Sequence, residues 1–147
     1  MAYKTISVIA DGAISKEANA SGSITPGMLI EKLSSGAIRA HGSAGCDAQR
    51  AFAVENDLAG EEISHAYTDG EKVMYKVYQR GNEVYARLTT SQTINIGDTL
   101  ESNGDGNLRK HASDSAGVVE YPEGLVGIAM ESVVTTNAVK GILVEII

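Results

Sequence analysis

The chain has 147 residues, 43% hydrophobic and 21% charged, which is enough apolar material for one folded domain and argues against a disordered chain. Twelve basic against nineteen acidic residues leave a net charge of −7, which argues against nucleic-acid binding because phosphate recognition draws on a cationic surface. A single cysteine, Cys46, excludes an internal disulfide, and sixteen glycines predict many tight turns.

The first ten residues carry one lysine and an apolar patch too short for a signal peptide. No stretch approaches the roughly 18 apolar residues of a membrane helix. The expectation is therefore a soluble product of a reducing compartment. Residues 4–10 alternate Ile6, Val8 and Ala10 against Thr5 and Ser7, as a half-buried strand does. Residues 11–23 are rich in Gly, Ala, Ser and Asn, with Ile14 as the one large apolar side chain, and read as a poor self-folder. Residues 1–23 are thus expected to form an N-terminal strand and flexible arm. Residues 24–147 are expected to form a single domain. If the arm grips a partner by adding to a sheet edge, Tyr3, Lys4, Ile6, Val8 and Ile14 are its contact residues.

Strands are expected at 27–33 and 36–41 around Ser34-Ser35-Gly36, and at 72–78 and 83–89 as a hairpin around Gln79-Arg80-Gly81-Asn82. Residues 93–102 and 107–111 flank Asn103-Gly104-Asp105-Gly106, the strongest turn string in the chain. Strands at 125–134 and 139–147 complete the set. The last is apolar on both faces and reads as sandwiched. Short helical turns are expected at 44–50 and 58–65. About nine or ten short strands between Gly, Asn, Asp and Ser turns indicate an all-β chain, a small β-barrel or sandwich.

An internal echo runs through the pattern. Ile24, Gly27, Glu31, Gly36, Arg39 and His41 recur 70 positions later as Ile94, Gly97, Glu101, Gly106, Arg109 and His111. Phe52-Ala53-Val54-Glu55 then answers Ile128-Ala129-Met130-Glu131 at a spacing of 76, and an apolar strand follows each block. This predicts a duplicated β-unit with pseudo-twofold symmetry.

Catalytic and metal chemistry is not announced. His41 and His111 end equivalent strands, and a shared metal site would need them to converge with an acid or thiol. Cys46 has acidic neighbours and no histidine at motif distance, so it reads as an ordinary small residue. Asn103, Asp105 and Asn107 alternate like part of a calcium loop, but the twelfth position is Asp114 rather than glutamate, and turn chemistry explains them better. The phosphate-binding glycine loops, the Gly-x-Ser-x-Gly elbow and a His-x-x-Glu-type metal pair are absent. The expectation is a non-enzyme without cofactor or metal.

Three segments then carry a resemblance. Ala51-Phe52-Ala53-Val54-Glu55-Asn56-Asp57-Leu58-Ala59-Gly60 with residues 63–73, residues 96–108, and Val126-Gly127-Ile128-Ala129-Met130-Glu131 resemble the capsid decoration (cement) proteins of tailed bacteriophages. The resemblance covers residue 24 onward at the level of strands and turns. It implies a structural virion protein, made in the host bacterial cytoplasm and placed on the outer capsid surface. It further implies a homotrimer that binds the major capsid protein and stabilises its lattice, without contact to nucleic acid or membrane. Two other readings share the composition. One is a phage tail or baseplate β-module. The other is a lipoyl- or biotinyl-like carrier barrel, suggested by Ile96-Gly97-Asp98-Thr99-Leu100 but lacking a lysine at the 103–107 hairpin tip.

Overall fold

The computed structural model describes residues 3–112 and 122–147, and these form short strands joined by turns. After β1 (Ser7–Ile9) come β2 (Ile14–Asn19), β3 (Ile30–Lys32), β4 (Ile38–Ala40), β5 (Ala51–Ala53) and β6 (Lys72–Val77). Then follow β7 (Glu83–Leu88), β8 (Thr93–Ile94), β9 (Thr99–Ser102), β10 (Leu108–Lys110), β11 (Leu125–Ala129), β12 (Val133–Val134) and β13 (Lys140–Ile146).

The second half closes a five-stranded barrel in the order β7-β10-β9-β11-β13, with β13 returning to β7. The first half follows the same ring, β2-β4-β3-β5-β6. Two of its closing contacts are reduced to single bridges, Ala20 to Ile38 and Leu29 to Phe52. Registers match residue for residue. Glu31 pairs with Arg39 as Glu101 pairs with Arg109, and Ala53 pairs with Tyr75 as Ala129 pairs with Val144. Turn bonds repeat as well. The Gly27 N–H donates to the Ala53 carbonyl and the Gly97 N–H to the Ala129 carbonyl, at 2.8 and 2.9 Å. Both glycines have φ near +90°, a backbone that costs other residues strain. The duplication expected from the sequence is therefore present, and the small all-β barrel describes each copy.

Each barrel interior is filled by its inward-facing side chains. Ile24, Ile30, Ile38, Val73 and Tyr75 pack in the first, and Ile94, Leu100, Leu108, Ile142 and Val144 in the second. Volumes trade off between equivalent places. Tyr75 stands where Val144 does, while Ala20 stands where Leu88 does, so both interiors fill without matching residue by residue. The second core runs on into the junction and takes in Ile6, Leu29, Phe52 and Tyr78, with the Phe52 and Tyr78 rings edge to face at 6.0 Å.

The junction is not reciprocal. Arg87 N–H donates to the Gly27 carbonyl, Leu29 N–H to the Gly106 carbonyl, and Gly106 N–H to the His41 carbonyl. The swapped partner of the first contact would join Asn19 to Gly97, and that of the second Thr99 to Gly36. Gly97 and Gly36 instead have open space where a side chain would stand. A twofold axis would make both sets of contacts. The expected twofold is thus refined to a head-to-tail arrangement, in which one face of repeat one meets a different face of repeat two.

Several expected elements differ. The turn at 79–82 forms, with Asn82 N–H donating to the Gln79 carbonyl, but it does not make a hairpin: β6 pairs with β2 and β5, and β7 with β1 and β13. Turn residues set a chain reversal; which strands then pair is decided by the ring each must close. The segment expected as an arm is laid into the fold. β1 lies antiparallel on β7, and β2 runs the length of β6. Its alternation is hidden because most of β2 faces solvent. The long strands at 93–102 and 125–134 each divide at a turn. Residues 44–50 form turns rather than helix, and in 58–65 a single 3-10 turn, Asp57–Ala59, marks the start. In β13 one face is buried and the other half-buried, so the strand is one wall of a barrel rather than a sandwiched layer.

Candidate interaction surface

The equivalent hairpins carry an acid, an arginine and a histidine in the same register. Glu31 Oε1 lies 2.6 Å from Arg39 Nε, and Glu101 Oε1 lies 2.9 Å from Arg109 Nε. In the second hairpin His111 Nδ1 also lies 2.9 Å from Glu101 Oε2. In the first, His41 turns to the junction: Nε2–H donates to the Asp47 carbonyl at 2.9 Å, leaving Nδ1 to accept the Ser102 hydroxyl at 2.7 Å. Burial pushes the Glu31 carboxyl up, but hydrogen bonds from Arg39 and the Gly42 N–H, with the Arg39 charge, outweigh it and hold the group below its ordinary value.

Serine, histidine and an acid thus stand together, but not as a nucleophile site. Ser102 is fully buried, its oxygen accepts the Gly104 N–H, and Glu31 is 4.0 Å from His41. The adjacent crevice of about 400 Å³, lined by Glu31, His41, Ser43, Cys46 and Asp47, is open to solvent. Cys46 is exposed.

Of the three side chains, Asp105 uses an oxygen in the turn, Asn103 is held through its amide nitrogen, and Asn107 Oδ1 is buried without a hydrogen-bond partner among the described residues. Asp105 Oδ1 accepts the Asn107 N–H, and the Asn103 amide donates to Thr89 Oγ1. Asp114, the twelfth position of the calcium-loop count, lies outside the described residues. Among the described residues no group of three or more His, Cys, Asp or Glu is placed to hold a metal. The hairpin tip a carrier barrel would use for its lysine is packed on repeat one, where Gly104 meets Ala44 and Gly106 meets Ala40 and Met28.

The expected arm residues do not form one patch. Ile6 is buried in the core and its carbonyl accepts the Tyr85 N–H. Tyr3 lies against the Tyr85 ring with centroids 5.2 Å apart. Val8 is half-buried, Lys4 is exposed, and Ile14 is exposed on β2. Large apolar side chains are exposed elsewhere, at Leu58, Ile96, Met130 and Val134. Sequence reading missed this second set, although Ile96 and Met130 lie inside the repeated blocks. What marks them is that their equivalents, Pro26 and Val54, are buried.

No protein-family model matches the chain, and no curated protein matches it. Among solved structures it is similar to the crystal structure of the head fiber gp8.5 N base in bacteriophage phi29. The match covers 92% of this chain and 94% of that one, with a TM-score of 0.57 and 14% identity. The likeness is one of fold. It spans both barrels rather than one.

Proposed function

We propose that this chain is a structural virion protein of a tailed bacteriophage, which binds the outer surface of the mature head as an oligomer, a trimer, and stabilises the major capsid protein lattice. The observation that carries the reading is the end-to-end fold likeness to a phage head fiber base. The interiors support it: both barrels are filled by their own side chains, and the polar cluster at the junction is spent on structure. A decoration protein works by binding. One oligomer touching several capsid subunits gains avidity from weak individual contacts, and binding the mature lattice alone stabilises it by mass action.

The experiment adds purified protein to mature, undecorated heads and to immature shells. Binding to mature heads alone, with a raised temperature of DNA release, is the expected result. Equal binding to both, or to neither, overturns the reading.

A further inference from the structure

We propose that the open face of the second repeat, centred on Ile96, Ile128 and Met130, packs onto the β2 face of the first repeat in a second copy. This contact repeats between chains the head-to-tail contact that joins the two repeats within one chain. It supplies an interface for the oligomer proposed above, and rests on that reading only for where the assembly is used.

The equivalent positions show what the face is for. In the first repeat Pro26 is buried, Leu29 and Phe52 are fully buried, and Val54 is 8% exposed, all at or beside the junction. In the second repeat the same places hold Ile96 at 68% exposure, half-buried Thr99 and Ile128, and Met130 at 38%. Scattered exposed apolar residues are ordinary. These instead occupy the positions at which the other copy of the same unit makes its main contact, and three of the four remain large and apolar. Gly97 keeps the flat turn of Gly27, with the same positive φ and the same bond to the following strand, but with open space where Gly27 meets Tyr85, Arg87 and the β1 residue Ile6.

The receiving half is vacant too. Within the chain that half is the Tyr85 and Arg87 stretch of β7 together with the Gly104 to Gly106 tip. Its equivalents in repeat one are Glu17 and Asn19 on β2 and the tip at 34–36, all exposed. Lys32, without an ion-pair partner among the described residues, stands at the Ser102 position of this face, while Asp98 and Glu101, paired within the chain to Lys110 and to Arg109 and His111, border the opposite one. Each chain therefore carries both unlike halves of one heterologous contact, unused. Such a contact closes a ring when successive rotations complete a turn.

The test uses two variants of the full chain in reductant, because Cys46 is exposed. Ile96→Glu with Met130→Glu disables the open face, and Asn19→Trp blocks the receiving one. By light scattering across concentration, wild type is expected to assemble beyond monomer. Each variant is expected to lose self-affinity by about tenfold or more, as removal of central apolar anchors does. At concentrations too low for wild type to assemble, all should melt at the same temperature, since every altered residue is on the surface. Mixing the two variants should restore one good contact and give a one-to-one dimer. A monomeric wild type, an assembly indifferent to both changes, or a mixture that stays monomeric overturns the proposal. Head binding is measured on the same samples. Assembly without head binding sinks the virion reading alone, and head binding by a monomeric wild type sinks the interface alone.

Discussion

His41 Nδ1 accepts the Ser102 hydroxyl at 2.7 Å, so the end of the first hairpin is bonded to the second inside the junction. The same ring donates to the Asp47 carbonyl and is almost fully buried. His41→Leu keeps approximate bulk but leaves the Ser102 hydroxyl hydrogen and the Asp47 carbonyl without their partner. The expected cost is about 2–3 kcal/mol, the desolvation of orphaned polar groups exceeding the net worth of the bonds. Denaturant unfolding measures it, and a loss under about 0.5 kcal/mol, the range of an ordinary surface change, would show the bond to be incidental.

Gly127 and Ala51 hold equivalent places in the two barrels, pairing with Ile146 and Val77. They are not interchangeable. A methyl at Gly127 would clash with Val144 Cγ1 and stand 2.7 Å from the Glu145 carbonyl oxygen. Gly127→Ala is expected to destabilise by about 1–3 kcal/mol through overpacking. Ala51→Gly should lose only about 0.5–1 kcal/mol, the strand cost of glycine. A thermal-melt series with the two losses reversed would contradict the packing described.

The repeated hairpins were legible in the sequence because Gly, Glu, Arg and His mark positions with backbone or charge requirements, and these survive duplication. The blocks at 52–55 and 128–131, with the apolar strand after each, were legible as well, whereas β2 and β7 were not: exposed Lys16 stands where buried Val84 does, and Ala18 with Ala86 is the one identity between the two strands. Residues 79–82 misled for a different reason. Their turn chemistry is real, but the strands it joins belong to different barrels. The junction was invisible because Arg50, which donates to the carbonyls of Ala48, Glu123, Leu125 and Ile147, reads in sequence as one more surface cation. The candidate surface at Ile96 and Met130 becomes visible only when burial at matched positions is compared.

Acid should weaken the fold through two carboxylates. Glu31 titrates below its ordinary value for the reasons given above. Asp98 does so because it accepts the Asn95 N–H and pairs with Lys110. A carboxylate with a depressed folded value contributes stability that is complete above its unfolded value and is lost as the pH falls through the folded one. Stability should therefore be flat through neutral pH and fall from the ordinary glutamate value of 4.5 downward. Glu31→Gln combined with Asp98→Asn should flatten that acid limb while lowering neutral stability. Unfolding midpoints read across the acid range decide it; an unchanged acid limb in the double variant removes both groups from the account.

Deleting residues 2–23 separates the arm reading of the N-terminus from the structure. A tether that orders on contact would leave a soluble barrel that melts cooperatively and has lost its partner. The structure leads elsewhere. β2 pairs with β6 from Ile14 opposite Val77 to Asn19 opposite Lys72, and Ala20 bridges to Ile38 to close the first ring. Removing them opens that barrel and bares the edge of β6, the strand that carries buried Val73 and Tyr75. β1 goes with it, and the loss of fully buried Ile6 from the second core adds about 2–5 kcal/mol, on the scale of emptying such a site. The expected product is insoluble or unfolded. Deleting residues 2–9 alone should leave both rings closed, giving a folded but destabilised protein that aggregates through the uncovered edge of β7. Circular dichroism and gel filtration of the two truncations give the answer: a cooperative, monodisperse 24–147 protein would return β2 to the status of a detachable arm.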